Sequence, residues 1–315
     1  MGLQGGHTMS SITDVATGLL FPEGPIAMPD GSVVLVEMFG PCLSRIHTDG
    51  SKEVIAEIPG GPNGAALGPN GLFYVCNNGG VFKPMVVNGN TVPVHAPASE
   101  HIGGRIQTVD PQTGKVTDLY AECDGVALTA PNDIVFDDHG GFYFTDHGFA
   151  HGRTAVMTGI YYAKADGSMI KEIVFPARDP NGIGLSPDGA TLYWAETWTG
   201  RIIRRKLSAP GVIENYPPGD LSMCLHGFPG FQLLDSLAVD AAGNVCVATL
   251  MNGGVSVVSP DGELIDFVAT GDPLTTNVCF GGPDLQTAYI TLSGSGRLVT
   301  TPWPRPGLAL AHLNK

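Results

Sequence analysis

Apolar and polar residues alternate along this chain in short runs, and one phrase of that alternation repeats. At 131–146, Asn132-Asp133 leads into Ile134-Val135-Phe136, the turn Asp137-Asp138-His139-Gly140 follows, and Phe142-Tyr143-Phe144-Thr145-Asp146 runs back. Two apolar runs of strand length around an Asp/Gly turn predict a β-hairpin. The phrase returns at Pro22-Glu23-Gly24-Pro25-Ile26-Ala27 before Asp30-Gly31, and at Pro62-Asn63-Gly64-Ala65-Ala66-Leu67 before Asn70-Gly71. It returns again at Pro180-Asn181-Gly182-Ile183-Gly184-Leu185 before Asp188-Gly189, and at Leu234-Asp235-Ser236-Leu237-Ala238-Val239 before Ala242-Gly243. The faintest copy is Thr276-Asn277-Val278-Cys279-Phe280 before Asp284. Glu23, Asn63, Asn132, Asn181, Asp235 and Asn277 hold the equivalent place, at separations of 40, 69, 49, 54 and 42 residues by subtraction. Repeats of this period predict a β-propeller, in which small antiparallel sheets bury their faces against one another around an axis.

Each phrase continues. Third strands are expected from near Leu43, Gly104, Gly159, Gly200, Gly253 and Gly296, and fourth strands at 53–58, 116–120, 170–175 and 264–269. The sixth copy has little chain left for a fourth strand, whereas 13–20 has no partner in the first copy. We expect that segment to supply the outer strand of the last blade. The reading is an all-β fold: a six-bladed β-propeller of four-stranded antiparallel blades, closed by the N-terminal strand, as one domain over 11–315. Residues 1–10 read as a disordered leader or expression scar, with Met9 as an alternative start.

Inner strands of a propeller run in the same sense along the axis, so equivalent positions form a ring at one mouth of the channel. Here every ring member offers a carboxylate or amide oxygen, the donor type a hard cation prefers. Each alone is also an ordinary turn residue entering a strand. Six copies without an apolar exception favour the ligand reading.

Composition narrows the function classes. A net charge of −14 and a pI near 4.9 argue against nucleic acid, whose phosphates need a basic surface. No stretch approaches the length of a membrane span. Six scattered cysteines without a CxxC pair read as buried thiols, and with no secretion signal they point to a reducing, cytoplasmic setting. No Gly-Xaa-Ser-Xaa-Gly elbow supports a serine hydrolase.

Three insertions interrupt the repeats. In 78–104 a hairpin is expected around Asn88-Gly89-Asn90; 148–158 carries His151 and Arg153; and 209–231 reads as a connection between blades. The first two are expected to shape a pocket, since long loops in compact domains are often functional. Candidate pocket residues are His147, His101 and His151, with Phe21, Met38, Phe39, Phe149, Trp198 and Met251 as walls. For at least half of the walls, packing between blades is the stronger reading.

These motifs resemble the family of gluconolactonases and senescence-marker-type proteins, which includes bacterial lactonases, and the broader design of six-bladed calcium-dependent phosphotriesterases. The resemblance covers about Leu19 to Trp303. It rests on Glu23-Gly24-Pro25 with Asp30-Gly31, Pro131-Asn132-Asp133 with Phe144-Thr145-Asp146, Pro180-Asn181-Gly182-Ile183 with Ala195-Glu196-Thr197, and Asp235-Ser236-Leu237-Ala238-Val239-Asp240. Before the fifth repeat the usual Gly-Xaa-Pro-Asp-Gly is replaced by Phe231-Gln232-Leu233-Leu234-Asp235-Ser236, which changes the residue after the aspartate and keeps the ligand.

The resemblance implies one divalent metal held by Glu23, Asn132, Asn181 and Asp235. Ca²⁺ is the first expectation, with Mn²⁺, Mg²⁺ or Zn²⁺ as substitutes. Asn63 and Asn277 would then face the substrate or support the ligands, with Phe39, His101, His147 and Trp198 as further substrate contacts. The implied reaction opens a small lactone or ester by water attack on a polarised carbonyl, with Asp235 as base or, in the competing route, as nucleophile. Phosphotriester hydrolysis on the same metal, or a calcium-stiffened binding propeller without turnover, are the alternatives. Neither nucleic acid nor membrane is expected as a partner, and oligomeric state is left open.

Overall fold

The structure, a computed structural model, describes residues 12–217 and 220–315; the expectation for residues 1–10 lies outside them. Six antiparallel sheets follow one another around an axis. Their inner strands are Pro22–Ala27, Pro62–Leu67, Pro131–Phe136, Pro180–Leu185, Leu234–Val239 and Thr275–Gly281. Each inner strand neighbours the next, and the sixth returns to the first, so the circle is complete. The chain segment 13–17 pairs antiparallel with the third strand of blade six, Arg297–Pro302, in the register Thr13↔Thr300 and Thr17↔Arg297, which closes the ring as expected.

The core lies between blades. In blades two and three, Tyr74, Ile106, Phe142 and Phe144 share one buried cluster; in blades four and five, Tyr193, Ile202, Leu237 and Val247 share another. Second strands are almost wholly buried because both of their faces meet a neighbouring blade, as in Val33–Glu37 and Gly141–Asp146. Outer strands such as Leu264–Ala269 alternate exposed and half-buried positions, because only one face is covered.

Blade four departs from the expectation. Segment 209–231 does more than connect blades: after a short hairpin arm, Val212–Ile213, it returns to give the fourth strand, Cys224–Gly227, paired with Arg201–Ala209. The strand was hidden because it is only four residues long and sits amid turn-forming sequence. The hairpin expected in 78–104 is present, Phe82–Val87 with Asn90–His95, and turns on Asn88 and Gly89, both at positive φ. That conformation is the one a two-residue hairpin loop needs.

At the end of the inner strands opposite the ring, residues 306–315 lie across the channel. Leu308 N–H donates to Val239 O at 3.0 Å, His312 packs edge-on against Phe136, and Lys315 Nζ meets Asp138 at 2.5 Å. Between this strap and the inner strands lies a cavity of about 340 Å³, lined by side chains such as Leu67, Phe136, Leu185 and Phe280.

Candidate metal centre and active site

Each inner strand breaks register with its partner around the ring residue. The shift falls between Glu23 and Ile26, Pro62 and Ala65, Pro131 and Ile134, Pro180 and Ile183, Leu234 and Leu237, and Thr275 and Asn277. A bulge re-aims a side chain that regular pleating would direct elsewhere. Six bulges at one level set the six ring positions apart from the ladders below them.

A second repeated device fixes that level. The last residue of several second strands reaches back to the loop entering the inner strand. Glu37 Oε2 accepts from Leu20 N–H (2.8 Å), Asn77 Oδ1 from Gly61 N–H (3.0 Å), and Asp146 from both Thr129 N–H and Ala130 N–H (2.7 Å each). Glu196 Oε1 accepts from Arg178 N–H at 3.3 Å. Loop amides are thereby satisfied, those of Gly61 and Ala130 in buried positions, and the ring residues that follow are held in place.

Glu23, Asn63, Asn132, Asn181 and Asn277 are buried, and Asp235 keeps partial contact with solvent. Asn277 Nδ2 lies 3.4 Å from Glu23 Oε2, while its own Oδ1 accepts from Val278 N–H at 2.8 Å. Its oxygen is thus turned into its own strand. Asn181 Nδ2 donates to Thr197 Oγ1 (3.2 Å), and Ser236 Oγ approaches Asn181 Oδ1 at 3.5 Å. The amide oxygens of Asn63 and Asn132 are sealed from solvent and meet no donor in the protein.

Sequence reasoning gave no role to Asp133, which the structure joins to the ring. Its Oδ1 accepts from Ile134 N–H (2.9 Å) and its Oδ2 from Ile183 N–H (3.4 Å). Room for it comes from glycine: a Cβ on Gly64 would lie 2.8 Å from Asp133 Oδ1 and 2.4 Å from Asn132 O. The signal was present in the repeat itself. The residue after the ring position is small or apolar in the other copies (Gly24, Gly64, Gly182, Ser236, Val278) and charged only here.

The three carboxyls repel one another in a buried place. Burial raises Glu23 well above the ordinary range, with Asp235 and then Asp133 adding to it. Burial likewise pushes Asp133 up to about 7, against the opposing N–H groups of Ile134 and Ile183. Asp235 also reaches about 7, through burial first and the charge of Asp133, against a hydrogen bond from Asn181. Acidic groups crowded beside unpartnered amide oxygens form an environment that a cation would relieve. Among the described residues no group of three or more His, Cys, Asp and Glu forms a metal cluster by itself, so a cation here would need asparagine oxygens as well. That mixture of hard oxygens fits Ca²⁺ and offers nothing a thiophilic metal requires.

The other candidates divide. Phe21 and Met38 are buried with Leu250 and Leu274, so they pack between blades instead of lining a pocket. Phe39 is half-buried on the edge of that cluster, 5.0 Å from the Phe21 ring. Trp198 is 60% exposed and Met251 44%, both on turns that follow second strands at the ring end. His147 is half-buried with Nδ1 sealed and unpartnered, and burial lowers its pKa, with Asp179 opposing. His101 Nε2 donates to Thr129 O at 2.8 Å. Arg105 is held by Asp118 (3.2 Å) and by the carbonyls of Ile102 and Gly103. The cavity beneath the strap lies beyond the ring on the other side, and of the six ring residues only Asn277 borders it, together with Asp133.

A closed ring of six blades with oxygen donors gathered at one mouth defines a propeller with a candidate oxygen-donor metal centre. The chain belongs to the family described as SMP-30/Gluconolactonase/LRE-like region, which it matches over residues 21–294. It is 24% identical over 312 residues to a gluconolactonase of Zymomonas mobilis, covering 89% of this chain and 78% of that one. It is 28% identical over 245 residues to the lactonase drp35 of Staphylococcus saprophyticus, covering 77% and 68%. Among solved structures, a gluconolactonase from Xanthomonas campestris superposes with a TM-score of 0.73 at 21% identity, covering 94% of this chain and 90% of that one. Regucalcin from Agrobacterium tumefaciens, described as a calcium-binding protein, superposes at 0.72 with 20% identity and 95% coverage of both.

Proposed function

We propose that this protein is a metal-dependent lactonase whose centre is the ring of Glu23, Asn132, Asn181 and Asp235. The observation behind the metal is the sealed, unpartnered amide oxygen of Asn132 beside the mutually repelling carboxyls of Glu23, Asp133 and Asp235. The reaction class is supported by relatives named gluconolactonase and lactonase. A divalent cation, Ca²⁺ by its oxygen preference, supplies polarisation of the lactone carbonyl and stabilisation of the negative charge that develops there.

The protein's own groups do the rest. Glu23, Asn132, Asn181 and Asp235 hold the cation, and the bulges keep them preorganised. Asp235, the ring member with solvent contact, takes the proton from the attacking water. Asn63 and His147 border the place of the substrate. Asn277 steadies Glu23 through its amide. Free cysteines at all six positions fit a reducing compartment. No helix among the described residues is long and apolar enough to cross a membrane.

Proton release in weak buffer over a panel of lactones tests the reading, with chelator, with Ca²⁺, Mn²⁺, Mg²⁺ or Zn²⁺ restored, and with Asp235→Asn. The expected outcome is activity that chelation removes, Ca²⁺ restores and Asp235→Asn reduces by at least ~100-fold. A lactonase unaffected by both chelation and Asp235→Asn would overturn the assignment of the centre. Inactivity on every lactone, with Ca²⁺ still raising the melting temperature, would turn the reading to phosphotriesters or to binding without turnover.

A further inference from the structure

The hairpin Phe82–His95 leaves blade two and does not stay over it. Thr91 N–H donates to Gly294 O at 2.8 Å, a residue of blade six, so the hairpin reaches from blade two to blade six. Val92 and Phe82 pack on the cluster of Phe21, Met38, Leu250 and Leu274, which belongs to blades one, five and six. The base of the hairpin faces blade three. Phe82 lies 5.4 Å from His95 and 6.4 Å from His147; His95 lies 5.8 Å from Phe149; and His101 stacks on Phe149 at 5.7 Å and 18°. A continuous bank of aromatic rings therefore stands on the ring side of the propeller, on the blade that carries Asn132. At the same end of the propeller the turns of blades four and five expose Trp198 and Met251.

The cationic side chains of this insertion are already committed within the protein. Arg105 is bound by Asp118 and two backbone carbonyls, and Lys83 is paired with Glu100 at 2.5 Å. An apolar substituent laid against Phe82 and Phe149 gains contact and loses no hydrogen bonds to water.

The geometry points to a lactone with an aromatic or alkyl substituent as the substrate class, with the substituent against Phe82, His95 and Phe149 and the ester over the ring. This inference rests on the lactonase reading above and names its specificity. It makes the hairpin a specificity element peculiar to the residues it carries here.

The test compares kcat/KM for dihydrocoumarin and δ-decanolactone with that for glucono-δ-lactone, in the Ca²⁺-loaded enzyme and in Phe149→Ala and Phe82→Leu. A second arm measures equilibrium binding of 3-(2-hydroxyphenyl)propionate and of gluconate to the same proteins. The expected result is a preference for the apolar lactones of at least ~10-fold. In Phe149→Ala that advantage falls ~10-fold or more, with the melting temperature retained. Preference for glucono-δ-lactone, or equal losses on both substrates in both variants, would overturn the inference while leaving the lactonase intact. Should no lactone be opened, the lactonase reading fails. The pocket is then judged by binding alone: capture of the aryl hydroxy acid but not gluconate, weakened by Phe149→Ala, supports it, and no capture rejects it.

Discussion

Glu37 shows how much a single buried carboxylate can hold. It accepts from Leu20 N–H (2.8 Å), Ser44 Oγ (2.9 Å) and Lys52 Nζ (2.9 Å) with its side chain fully covered. Burial works to raise its pKa, but the Leu20 amide, Lys52 and Ser44 outweigh it and leave the carboxyl below the usual glutamate value of 4.5. A depressed folded pKa gives stability that is complete above the unfolded pKa and lost as pH falls through the lower folded one. Glu37→Gln should therefore cost roughly 2 kcal/mol at pH 7, since hydrogen bonds to a charged group are replaced by weaker ones. The difference from wild type should shrink below about pH 4. Urea unfolding at pH 7 and pH 3.5 checks both; an equal difference at the two pH values would contradict it. At this scale the sequence was partly legible. The six ring positions could be read because repetition marks them, and Asp133 could have been, as the one charged residue at its repeat position. The bulges could not, because a bulge leaves the strand's composition unchanged and alters only its pairing.

Among the elements, those that repeat were the readable ones. Inner, second and third strands fall where alternation and Asp/Gly turns place them, as does the outer strand of blade five at Leu264–Ala269. The outer strand of blade four, Cys224–Gly227, escaped because its pairing is fixed by the neighbouring strand and not by its own pattern. The hairpin at Asn88-Gly89 announced itself by its turn, but its path to Gly294 is a tertiary choice no local pattern records. Replacing 83–94 by a Gly-Gly link uncovers part of the Phe21, Met38, Leu250 and Leu274 cluster. We expect a loss of roughly 2–3 kcal/mol for that apolar exposure, with the propeller retained, since no blade takes a strand from the hairpin. Near-ultraviolet circular dichroism and thermal unfolding would show it; collapse of the fold would mean the hairpin is structural to the ring.

The whole molecule depends on one junction between distant parts of the chain. Segment 13–17 completes blade six through its ladder to 297–300, with Asp14 Oδ1 accepting from Arg297 Nε at 2.7 Å. Removing residues 12–17 leaves Arg297–Pro302 as an open edge and should cost roughly 4 kcal/mol, at about 1 kcal/mol for each ladder hydrogen bond. A synthetic peptide of that sequence, added in excess, should restore most of the lost melting temperature by strand addition. Failure of the peptide together with an unchanged melting temperature would show that closure is not what holds the ring. The same junction bears on how the protein is made. Within the chain, Asp14 leaves the ribosome 283 residues before Arg297, with which it pairs. For nearly all of that interval 13–17 is a lone strand with unmet backbone groups, able to pair with the wrong neighbour. Slow or interrupted translation should therefore yield sticky fragments instead of stable partial rings, with residues 13–17 the segment a ribosome-bound chaperone would have to shield.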